Sequence, residues 1–94
     1  MKIVPVNNVS SHKQGTLTGL KKADIDLILG FEHNCDGDGG YKVKYDWMFT
    51  VDGVECAIWD WKGSDSAGEW SFYGPREVFQ KIFGAHHVAE GLYA

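Results

Sequence analysis

Asp52-Gly53 constrains this chain more than any other pair of residues. It lies between two runs that alternate in character, YKVKYDWMFTV over residues 41–51 and VECAIWDW over residues 54–61. In the first run Tyr41, Val43, Tyr45, Trp47, Phe49 and Val51 alternate with Lys42, Lys44, Asp46, Met48 and Thr50. A period of two is the mark of a strand with one buried face. A type I′ turn needs positive φ at both central positions, and Asp-Gly supplies it at little cost. The sequence therefore predicts a β-hairpin.

A two-residue turn fixes the register of the strands it joins. Counting outward, Val51 faces Val54, Phe49 faces Cys56, Trp47 faces Ile58 and Tyr45 faces Asp60. This nearly apolar face is the expected core side. On the other face Thr50 meets Glu55, Met48 meets Ala57, Asp46 meets Trp59 and Lys44 meets Trp61. Two tryptophans on a solvated face call for a cover, supplied by the chain's own tail or a loop, or by a partner. Lys44 lying over Trp61 in a cation–π contact is the structural alternative.

The flanking segments complete the fold. Residues 2–6 are β-like but broken by Pro5, which restricts them to a sheet edge. Residues 15–18 have the character of a brief strand. Leu20, Ile25, Ile28 and Leu29 share one helical face, and Gly30 suits the stop position, which predicts a helix over residues 20–29 with Thr18 or Gly19 as N-cap. Lys21 and Lys22 at its start oppose the helix dipole. Trp70 and Phe72 alternate with Ser71 and Tyr73, which reads as a third strand. Pro75 then opens a second helix at its first position, with Val78, Phe79, Ile82 and Phe83 as its apolar stripe and Gly84 as its end. The expected order is β(weak)-α-β-β-β-α. This is an α+β domain, a three-stranded antiparallel meander packed with two short helices.

Ninety-four residues predict one domain, enough for a single core without metal or disulfide staples. The hydrophobic fraction of 44% and aromatic fraction of 14% predict a core built of a few large rings. A net charge of −4 argues against direct binding to a phosphate backbone, which requires a basic surface. Between residues 23 and 40 there is no Lys or Arg, whereas Asp24, Asp26, Glu32, Asp36 and Asp38 all fall there. Such a run most often marks a solvated helix face and a polar loop. The functional reading is a surface that mimics nucleic-acid phosphates and competes for a basic groove. Cys35 and Cys56 read as free thiols of a reducing cytosol, the N-terminal apolar run is too short for a signal sequence, and no stretch is long enough for a membrane span.

No nucleophile elbow, phosphate-cradling loop or paired metal-ligand spacing is present, so neither catalysis nor a cofactor is expected. Asp36-Gly37-Asp38-Gly39 is a fragment of a calcium loop without its terminal glutamate. His33 and Cys35 could meet His86 and His87 at zinc, but at no standard spacing. Asp60, on the core face, needs a partner, which a tyrosine hydroxyl, a lysine or a helix start would provide. A general base in a pocket is its functional reading. The histidines fall in expected loops, where they are most often surface residues.

Gly15-Thr16-Leu17-Thr18, the Leu27–Phe31 run, Lys42-Val43 with Trp47, Ile58-Trp59-Asp60-Trp61-Lys62, and Trp70 with Phe72-Tyr73-Gly74 together resemble short phage and prophage accessory proteins, over about residues 15–75. The resemblance carries no catalytic motif and transfers no functional residue. It implies a class: proteins that bind and block a host protein in the host cytoplasm, anti-CRISPR and other counter-defence inhibitors among them. The expected partner is a host protein or a nucleic-acid-binding defence complex, met by a monomer or small homo-oligomer. The expected interface combines Asp24, Asp26, Glu32, Asp36 and Asp38 with Lys44, Met48, Trp59 and Trp61. The alternative is a binder of a small nucleotide signal, with Trp59, Trp61 or Trp70 stacking on a base and Lys44, Lys62 or Arg76 meeting phosphate.

Overall fold

The structure, a computed structural model, describes residues 1–9, 12–35, 45–61 and 63–89. Strands β1 (Ile3–Pro5), β2 (Gly15–Leu17), β3 (Asp46–Val51), β4 (Val54–Trp59) and β5 (Trp70–Tyr73) form one antiparallel sheet in the order β1-β3-β4-β5-β2. Helices α1 (Lys22–Leu29) and α2 (Arg76–Phe83) pack on one face of it.

The hairpin has the register that its turn dictates. Asp52 and Gly53 take φ of 51° and 85°. Val51 then pairs with Val54, Phe49 with Cys56, Trp47 with Ile58, Thr50 with Glu55, Met48 with Ala57 and Asp46 with Trp59. Trp47, Phe49, Cys56 and Ile58 are fully buried. Phe72 of β5 stacks on Phe79 of α2 with centroids 4.2 Å apart, and Trp47 meets Trp70 edge-on at 5.2 Å. A few large rings thus make the middle of the core.

The sheet has five strands where three were expected. β1 pairs with β3 and β2 pairs with β5, each over three residues. Three residues are too few to show a period, and these strands are held by neighbours far away in sequence. β1 and β2 lie on opposite edges, so the chain between them must cross a face. Val6 N–H donates to the Met48 carbonyl, Val9 is buried, and the His12 ring meets Tyr73 edge-on at 5.2 Å. Tyr73 lies opposite the core-facing Phe72, so the crossing runs over the outer face. The N-terminal part thus reaches the outer face at Tyr73, and Met48 and Trp59 on that face are half-buried. The far edge of β2 is satisfied by the segment after α2. Thr18 N–H donates to the His87 carbonyl, Ala89 N–H donates to the Thr16 carbonyl, and Val88 bridges Leu17.

Both helices begin later than expected. α1 starts at Lys22 with Lys21 as its N-cap, because Gly19 turns left-handed (φ 72°) and Leu20 is drawn into the core. The unfavourable lysines are compensated locally. The Asp24 carboxylate accepts the Lys21 N–H at 2.8 Å, and the Lys22 ammonium sits 4.1 Å from the centroid of Tyr45. Pro75 is the N-cap of α2, not its first residue.

Candidate partner-binding surface

Asp26 organises the region where α1 meets the sheet. Its Oδ1 accepts the Trp47 indole N–H at 3.0 Å and the His33 backbone N–H at 2.9 Å. The His33 Nδ1 lies 3.0 Å from both carboxylate oxygens. An ionised carboxylate only accepts, so this contact requires the proton on Nδ1. The imidazole is further held edge-on to Tyr45 and Trp47, with centroids at 5.2 and 5.8 Å. The expected placing of Asp26 as a free surface charge and of His33 as a surface histidine is therefore corrected. Together they pin α1 and the turn after it to β3. A carboxylate-oriented imidazole also occurs in hydrolases. Among the described residues, however, His33 hydrogen-bonds only to Asp26, and no serine or cysteine is joined to it.

Beside this clamp lies an open depression of about 560 Å³, lined by Ala23, Asp26, Leu27, Gly30, Phe31, Glu32 and His33. Leu27 stands on its rim at 83% exposure, and Ile28 on the same helix is 40% exposed. Asp24 and Glu32 are exposed nearby on the same helix and the turn that follows it. The leucine could have been found from the sequence: at 3.6 residues per turn it lies ~160° from the middle of the Ile25–Ile28–Leu29 stripe, on the face turned from the core.

The other expected site residues do not join this surface. Asp36, Asp38 and Lys44 lie outside the described residues. Met48 and Trp59 sit on the outer sheet face, with the whole sheet between them and α1. Among the described residues, Asp24, Asp26 and Glu32 thus stand apart from Met48 and Trp59. Trp61, beyond the end of β4, is 47% exposed, and its N–H donates to Ser64 Oγ. Asp24 caps α1, so reversing its charge would also weaken the helix.

The groups proposed for a nucleotide fare differently. Trp70 is fully buried and its indole N–H donates to the Leu20 carbonyl, so it offers no face to a base. The Arg76 guanidinium donates to the Ala89 carbonyl at 3.1 Å, and Lys62 lies outside the described residues. Asp60 is fully buried, and its Oδ1 accepts the Tyr45 backbone N–H at 2.9 Å where β3 and β4 end. One of its partners is thus the backbone amide of Tyr45.

Among the described residues no three His, Cys, Asp or Glu side chains converge as metal ligands, and no helix is long and apolar enough to cross a membrane. The two thiols differ: Cys35 is exposed, whereas burial pushes the Cys56 thiol from 9.0 up to about 11. At about pH 8 a thiol reagent should label Cys35 rapidly and Cys56 only as fast as the chain unfolds, because the thiolate is the reacting form. The raised value favours the folded state below 9.0, and that contribution is lost as pH rises toward about 11. Labelling with and without denaturant checks the first point, and denaturation across that pH range checks the second.

Comparison with protein-family models, with curated proteins and with solved structures finds no match to this chain.

Proposed function

We propose that the protein acts without catalysis, by covering a surface of a host protein or nucleoprotein with the outer face of α1. The observation that carries this reading is Leu27, 83% exposed on a helix whose other side is locked into the core. A leucine in water forgoes ~1.5–3 kcal/mol that burial would supply. Asp24 and Glu32, both exposed, give the leucine acidic neighbours. Apolar anchors within a polar rim are the ordinary anatomy of an interface. A domain of this length can offer the ~800 Å² that a standard partner surface needs. The resemblance of residues 15–75 to phage accessory proteins supports a host protein as the target and counter-defence as the purpose.

The test is Leu27→Lys. The side chain is exposed, so circular dichroism and the melting temperature should match wild type. Affinity for a partner recovered from host lysate by wild type should fall at least ~30-fold, the ~2 kcal/mol expected of an interface anchor. A folded Leu27→Lys protein that binds the same partner as tightly as wild type does would remove α1 from the interface.

A further inference from the structure

We infer that the depression beside α1 is a socket for one arginine side chain of the partner. This rests on the proposed use of the α1 face and names the chemistry that the face selects. The depression is amphipathic in a particular order. Ala23, Leu27, Gly30 and Phe31 provide apolar wall, and the carboxylates of Asp26 and Glu32 sit among them. A long aliphatic stem with a cationic head satisfies both parts at once.

Charge complementarity sets the sign of the guest. From residue 23 to residue 35 the chain carries Asp24, Asp26 and Glu32 and no Lys or Arg. The nearest cation on α1, Lys22, has its ammonium over the Tyr45 ring and is not part of the lining. Asp26 retains acceptor capacity. It takes three donors in all, the His33 and Trp47 N–H groups on Oδ1 and the His33 Nδ1–H shared between Oδ1 and Oδ2. A carboxylate offers about four lone-pair sites, so Asp26 can accept one more donor. Glu32, exposed, adds a second carboxylate. Two carboxylates and the half-buried Phe31 ring favour the planar, five-donor guanidinium over an ammonium, since a guanidinium both forks onto carboxylates and stacks on rings. The Asp26–His33–Trp47 clamp makes the socket rigid before the guest arrives, which limits the ordering cost of binding.

The experiment is an amide-resonance titration of the whole chain with N-acetyl-arginine methylamide. The citrulline analogue, uncharged but of the same shape, and the lysine analogue run in parallel. Saturable shifts are expected at Ala23, Leu27, Gly30, Phe31, Glu32 and His33 with the arginine probe. They should be weaker with lysine and absent with citrulline. Glu32→Gln, in an exposed turn, should weaken the arginine probe by about two- to fivefold, the range of an exposed ion pair. Equal shifts with arginine and citrulline, or saturable shifts centred elsewhere, would overturn the socket. So would sedimentation showing that a second copy of the chain occupies the α1 face. A failed titration leaves the Leu27→Lys result intact, so the two readings can fail separately.

Discussion

Trp47→Ala should cost about 3–5 kcal/mol of folding free energy, as truncation of a buried aromatic does. Against a whole-domain stability of ~5–15 kcal/mol, that brings the chain close to unfolding at ordinary temperature. The loss has two parts. One is volume: Trp47 is fully buried and packed edge-on against Trp70. The other is polar: the Asp26 carboxylate loses one of its donors in a part-buried setting. Trp47→Phe is intermediate, because it keeps an aromatic ring while removing the indole N–H and part of the ring volume. It should cost about 1.5–3 kcal/mol, the worth of a hydrogen bond to a charged group. Thr50→Ala, half-buried on the outer face, is the control and should cost less than about 1 kcal/mol. Urea denaturation of the four proteins checks the order. Equal costs for Trp47→Ala and Thr50→Ala would mean that the core lies on the other face.

Gly15→Ala should cost about 3 kcal/mol, the upper end of what overpacking does. One methyl group is a small addition to a three-residue edge strand. Its position decides otherwise. A Cβ at residue 15 would lie 2.3 Å from Phe72 Cζ and 2.5 Å from Cε2. Phe72 cannot withdraw, because its other side is stacked on Phe79 at 4.2 Å. Either β2 leaves β5 or the ring shifts within the core. Gly53→Ala gives the contrast: nothing lies within 4 Å of the added Cβ, so its cost is the left-handed backbone alone, about 1 kcal/mol. Thermal denaturation of both variants would refute the packing argument if Gly15→Ala proved the milder.

Much of this arrangement was legible in the chain. Asp52-Gly53 sets a two-residue turn, and a turn of fixed length sets register, so six cross-strand pairs of the hairpin follow by counting. The stripe of α2 and the alternation of β5 are equally local signals. Leu27 was legible too, as a leucine on the wrong side of its helix. Other features were not. β1 and β2 read as brief β-like stretches, but they are too short for a pattern that says where they pair, and their places in the sheet are set by the edges that β3 and β5 present to them. His33 is the loop residue that was expected, but it read as a surface one because its partners, Asp26 and Trp47, stand on a helix and a strand that sequence spacing does not bring together.

The sequence alone thus determined the elements whose causes are local: the hairpin and its register, the β5 strand, and two short helices with their glycine stops. Only the tertiary structure decided what meets across distance. It placed β1 and β2 at opposite edges and brought His12 against Tyr73 on the outer face. It converted Asp26 from a presumed surface charge into the acceptor that holds α1 to β3. It left Leu27 and Glu32 facing out on the opposite side from the tryptophan face. Local signals report how a residue's neighbours in sequence set its backbone and its face. They carry no record of which face, once buried, will lie against which other, because that is settled by the packing of the whole chain.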